Sequence, residues 1–131
     1  MAYHLKSSRS AAKNTDITVP LDGTDGTGPP DSNGIPIGVG NKGQGAQCKN
    51  HSIAIEKTDS TVGTIAVTAL AVGKTTVEPV YENGVPLVID LAKANEPLTR
   101  GIKNKALEEV YFAMNGVDGT GNMTITISSG D

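Results

Sequence analysis

From Ile53 onward, turn-forming residues interrupt every apolar run in this chain. That spacing leaves room for short strands and little else. The runs are "IAIEK" (Ile53–Lys57), "GTIAVTALAV" (Gly63–Val72), "TTVEPV" (Thr75–Val80), "VPLVIDL" (Val85–Leu91), "LEEVYFAM" (Leu107–Met114) and "MTITIS" (Met123–Ser128). In the last, Met123, Ile125 and Ile127 alternate with Thr124, Thr126 and Ser128, the period of two that belongs to a half-buried strand. "GTIAVTALAV" is almost continuously apolar and reads as a strand covered on both faces. "LEEVYFAM" is long enough for a short helix, but the alternation of Val110, Phe112 and Met114 predicts a strand. Asn83-Gly84 in "YENG" is a hairpin-turn signal. Pro79 and Pro86 lack an amide donor, which places their strands at edges or starting there. Six or seven short strands separated by turns every 8–12 residues or so predict an all-β fold, an antiparallel β-sandwich of jelly-roll-like form over residues 53–131.

Residues 1–52 follow different rules. They contain 8 of the 16 glycines and four of the seven prolines. No period of two or of 3.6 is sustained there. The stretch "DGTDGTGPPDSNGIPIGVGNKGQG" (22–45) cannot bury enough apolar surface to offset its own ordering entropy. The expectation is an extended N-terminal arm over 1–52, either disordered alone or ordered across a partner. "ITVPL" and "IPIGV" favour the docked arm, because such clips can add to a sheet edge; Ile17, Val19, Ile35 and Ile37 are its candidate contacts. Lys6, Arg9 and Lys13 all precede the first acid, Asp16, and form a basic start that could meet an acidic neighbour or DNA.

The tetrapeptide "DGTG" occurs twice, at Asp25–Gly28 and Asp118–Gly121. The first precedes "PPDSNG" and reads as linker. The second separates two strand-like runs and reads as a hairpin loop, with glycines free to take positive φ.

A chain of 131 residues suggests one folded domain, and its resources for a core are thin: 37% apolar residues, with one Phe, three Tyr and no Trp. The single cysteine, Cys48, rules out an intrachain disulfide, and His4 and His51 are far apart, so no metal or other cofactor is expected. A small ring-poor core of this kind commonly leans on other subunits. The net charge of −3 carries no global basic footprint and argues against nucleic acid as a partner. No run suits a membrane span or a secretory signal, so synthesis in the cytoplasm is the expectation.

Catalytic and ligand motifs fail on context. Taking Asp22 as position one of a calcium loop puts Thr24 at three and Asn33 at twelve, a poor ligand set. "GVGNKG" (38–43) matches a dinucleotide fingerprint in letters, but "QGAQCKN" after it is no helix. "VGKTT" imitates the end of a phosphate loop and lacks the first glycine, with Thr68 in its place. Cys48 and His51 are close in sequence with nothing to orient the imidazole. Glu108 and Glu109 are adjacent and would point to opposite faces of a strand. Enzymatic activity is therefore not expected. Tyr81 and Tyr111 each join apolar area to a hydroxyl and suit an interface or a sugar platform.

The layout of residues 60–130, a strand pair "GTIAVTALAVGKTTVEPVYENGVPLVIDL", then "PLTRGI", then a Gly-rich closing loop and "MTITIS", resembles small bacteriophage virion structural proteins. That resemblance implies a non-enzymatic β domain repeated on a particle, of the capsid decoration, cement or minor capsid type. It further implies homotrimers bound to a major capsid protein, with arms reaching over neighbours. The alternatives are an adhesion or carbohydrate-binding module that takes a glycan at Tyr81, Tyr111 and "VDGTGN", or a tail or connector subunit.

Overall fold

The computed structural model describes residues 4–21, 48–56, 62–92, 98–117 and 122–130. Every regular element among them is a strand: β1 (His4–Ala12), β2 (Ile17–Pro20), β3 (Asn50–Glu56), β4 (Thr64–Ala71), β5 (Glu78–Pro79), β6 (Tyr81–Glu82), β7 (Val85–Pro86), β8 (Val88–Asp90), β9 (Thr99–Ile102), β10 (Leu107–Asn115) and β11 (Asn122–Gly130). One sheet runs β1-β11-β3-β9. The other runs β2-β10-β4-β5, with β8 also on β4. All pairings are antiparallel, and four of them nest: β1 with β11, β2 with β10, β3 with β9 and β4 with β8, while β3–β11 and β4–β10 join the nested pairs into sheets. Such a nested pairing, folded over into two layers, is a jelly roll.

The inward rows are aliphatic. Ile53, Ile55, Met123, Ile125 and Ile127 of the first sheet face Val19, Ile65, Val67, Val110 and Phe112 of the second; all are at most 6% exposed. Phe112, the single phenylalanine, is 1% exposed. Alternation in "MTITIS" survives intact, with buried and half-buried residues succeeding one another along β11. The outward side of that sheet carries a hydroxyl ladder, with Ser8 and Thr126 Oγ atoms 3.0 Å apart and Thr124 Oγ1 donating to Ser10 Oγ at 3.1 Å.

Several expectations need correcting. The sandwich does not begin at residue 53. β1 pairs with β11 from His4↔Gly130 to Ala12↔Asn122, and β2 pairs with β10, so residues 4–21 are part of the two sheets. Their arm-like reading arose because β1 is held by its backbone ladder, with serines and a half-buried Arg9 where apolar residues would signal a strand. The "VDGTGN" connection is no hairpin: β10 and β11 lie in different sheets. Asp118–Gly121 themselves, like the first "DGTG", "GVGNKG", Ile35 and Ile37, fall outside the described residues. β4 is buried on one face only, with short side chains at Ala66 and Thr68 half-buried on the other. In β10 a bulge between Leu107 and Glu109 turns both Leu107 and Val110 inward, so strict alternation fails at Glu108–Glu109.

Turn chemistry matches the sequence more closely. Asn83 (φ 54°) and Gly84 (φ 82°) join β6 to β7 with both central residues left-handed. Lys74 N donates to Ala71 O at 3.1 Å across Gly73 (φ 80°), a tight turn and not a phosphate loop. Gly63 has the strictest requirement. At φ 111° a Cβ there would sit 2.5 Å from the Gly116 carbonyl oxygen, whereas a Cβ on Gly84 would meet nothing. Gly63→Ala is therefore expected to lose about 2–4 kcal/mol of stability, and Gly84→Ala about 1 kcal/mol. Urea unfolding of both variants checks the ranking; equal midpoints would contradict the close approach.

Candidate interaction surfaces

A buried polar knot around His51 resembles a catalytic pair only on paper. His51, on the inward face of β3, is 3% exposed. Its Nε2 lies 2.7 Å from the Lys105 carbonyl oxygen, and its Nδ1 lies 2.8 Å from Ser129 Oγ. A carbonyl cannot donate, so Nε2 carries the proton and Nδ1 accepts from the serine hydroxyl. Ser129 is 4% exposed. A serine–imidazole pair sealed from solvent has no route for a substrate; it ties β3, β11 and the segment before β10 together. Cys48 is buried in the core without a disulfide, and both nitrogens of His51 are engaged elsewhere. Among the described residues no group of three His, Cys, Asp or Glu is arranged to hold a metal ion, and no helix is long and apolar enough to cross a membrane.

On the outer face of the second sheet, Thr18, Tyr111, Thr68 and Pro79 form one cross-strand row. Tyr111 hydroxyl donates to Glu109 Oε2. That hydrogen bond, with burial and the neighbouring charges of Glu109 and Glu108, pushes the phenol up to about 12. That row ends at Pro79 on β5, two residues before Tyr81, which begins the β6–β7 hairpin.

The hairpin carrying Tyr81 is built as a projection. Val80 N donates to Val67 O (3.2 Å), Val67 N to Leu87 O (3.1 Å) and Leu87 N to Val80 O (2.7 Å), so Val80 and Leu87 close its base on β4. Both are buried. From the other sheet, Arg100 on β9 donates to Glu82 at 2.5 Å and holds the hairpin across the open side of the sandwich. On the hairpin itself Tyr81 (57%) and Val85 (60%) face solvent, and beside it so do Val77 (43%), before β5, and Val88 (47%), at the start of β8. These are four of the six large apolar residues exposed among the described residues. Sequence reading singled out Tyr81 alone, because the valines read as strand interior.

The remaining candidate contacts divide plainly. Lys6 is exposed on β1 and Arg9 half-buried. Ile17 and Val19 are 3% and 0% exposed: "ITVPL" does add to a sheet edge, but to the chain's own β10, so these two residues are core and not partner contacts. Lys13, 1% exposed at the β1–β2 turn, is likewise no surface contact.

No protein-family model matches this chain, and no curated protein matches it. Among solved structures, the SPBc2 prophage-derived protein YomS is 12% identical, with 97% of this chain and 96% of that one covered and a TM-score of 0.48. A protein of Mud Crab Dicistrovirus is 11% identical, covering 98% of this chain and 67% of that one, TM-score 0.47. A Bacillus endospore appendage pilus protein is 12% identical, covering 98% and 87%, TM-score 0.40. Likeness at this level carries no function over to this chain.

The His51 knot makes stability depend on pH. Burial lowers the imidazole below its ordinary 6.5, with the Lys105 carbonyl opposing in part. Above 6.5 both folded and unfolded states hold it neutral, and the knot contributes in full. As pH falls below 6.5 the unfolded chain takes up a proton that the folded one refuses, so stability drops until the lowered folded value is passed. Urea midpoints should fall between pH 7.5 and 5.5, and His51→Gln should flatten that dependence. Identical wild-type midpoints would overturn it.

Proposed function

We propose that this chain is a non-enzymatic structural subunit of a virion, of the capsid decoration or cement type, which assembles as a trimer and contacts a major capsid protein. The observation that carries the reading is the exposed apolar hairpin. A ring-poor sandwich leaves Tyr81 and Val85 of the β6–β7 hairpin in solvent, with Val77 before β5 and Val88 on β8 exposed on the chain flanking it. Large exposed apolar groups gathered in one place mark an interaction surface, and their burial between copies supplies area that the small core lacks. The jelly roll supports the reading as an architecture used for capsid and lectin domains. In sequence, the "IPIGV" clip with Ile35 and Ile37 is a candidate for strand addition to a neighbour. Repetition of modest contacts across three subunits then gives avidity.

Light scattering after size exclusion should give about three times the 13.4 kDa chain mass. Tyr81→Ser/Val85→Ser should return the mass toward 13.4 kDa with far-ultraviolet dichroism unchanged. A wild-type monomer at millimolar concentration, or a double variant that assembles normally, would remove the hairpin from the reading. A fragment from residue 53 cannot test the glycan alternative, since β1 and β2 would be missing.

A further inference from the structure

The two sheets turn unlike faces outward. On the first, Thr124, Thr126 and Ser128 of β11 point away from the core beside Ser8 and Ser10 of β1, a lining of hydroxyls suited to water. On the second, the cross-strand row Ala113, Ala66 and Val88 lies next to the row of Tyr111, Thr68 and Pro79. A sheet with one face in solvent normally alternates apolar-in with polar-out, yet β4 is largely apolar on both faces while the chain buries only one. No strand of this sheet contains a lysine or an arginine, the residues that commonly keep such a surface in solution. Glu109 and Asp90, the acids at its outward ladder positions, are engaged within the chain: Glu109 accepts from the Tyr111 hydroxyl, and Asp90 Oδ1 from the Ala92 amide at 3.0 Å.

We propose that the outer face of the second sheet is buried against a second copy of this chain and forms the larger part of the subunit interface. The inference rests on the assembly reading above and extends it. Four large apolar residues on and beside the hairpin are too few for a stable contact, which takes about 800 Å² and some 20–30 residues a side. The sheet face supplies further area without a break. Val88 belongs to both surfaces, and Pro79 is two residues from Tyr81. Ala66, Thr68 and Ala113 are short enough for another surface to come close. Tyr111, half-buried among them, adds an aromatic ring of the kind that anchors interfaces.

The test is light scattering after size exclusion on single arginine variants at exposed outward positions, Ala113→Arg on β10 and Thr18→Arg on β2. Ser52→Arg, exposed on the outer face of the first sheet, is the control. The first two should lower the mass about threefold, to that of one chain, with the wild-type urea midpoint kept. Ser52→Arg should keep the wild-type mass. A second measurement needs no disruptive charge: Ala113→Cys should react with a maleimide several-fold more slowly in the assembled chain than in the Tyr81→Ser/Val85→Ser background, with Cys48 buried in both. A wild-type monomer removes this inference and the hairpin reading together. A wild-type trimer that Ala113→Arg and Thr18→Arg leave intact, or equal labelling rates, overturns the sheet face alone and leaves that face to another partner. Dissociation of Ser52→Arg as well would also overturn it, because added charge anywhere would then separate the subunits.

Discussion

Everything else in this molecule depends on the pairing of its first strand with its last. β11 is the second strand of its sheet, hydrogen-bonded to β1 on one side and β3 on the other. The inward row Met123, Ile125 and Ile127 thus sits on a strand whose two partners are both distant in sequence, β1 by more than a hundred positions. Loop closure on that scale costs entropy before any side chain is buried, which makes nested sheets of this kind slow to form. The compensation comes after closure: β11 is then flanked on both edges, and its three inward side chains are completely buried.

That order explains why the core manages with so little aromatic area. Isoleucine and valine on facing rows fill the space between sheets, and a single phenylalanine on β10 sits among them. β-Branched side chains lose little freedom in strands and pack well on a pleated surface. The polar groups that do enter are tied: His51 uses both ring nitrogens, and Arg100 reaches Glu82. An unpaired group in their place would cost more than the packing gains.

What was legible in the sequence was what local chemistry dictates. The alternation of "MTITIS", the Asn83-Gly84 turn and the edge prolines depend on neighbours in the chain, and each matches the structure. What was not legible depends on partners far away. β1, "HLKSSRSAA", carries no apolar alternation because β11 holds it by backbone ladder, so its polar text read as arm. Ile17 and Val19 read as clips for another protein because nothing local names β10 as the edge they complete. The bulge at Glu108 was invisible for the same reason: the two-against-one count exists only against β4. The exposed valines of the hairpin read as interior because apolar residues in strands normally are.

The same nesting that joins the ends also separates the surfaces. In a two-layer fold with antiparallel partners, connections collect at the two ends while edge strands collect at the sides. Apolar exposure follows the edge: β4 has β10 along one side, but its other side is filled by β5 and β8 in turn, and the chain between them has no ladder left to join and projects as β6–β7.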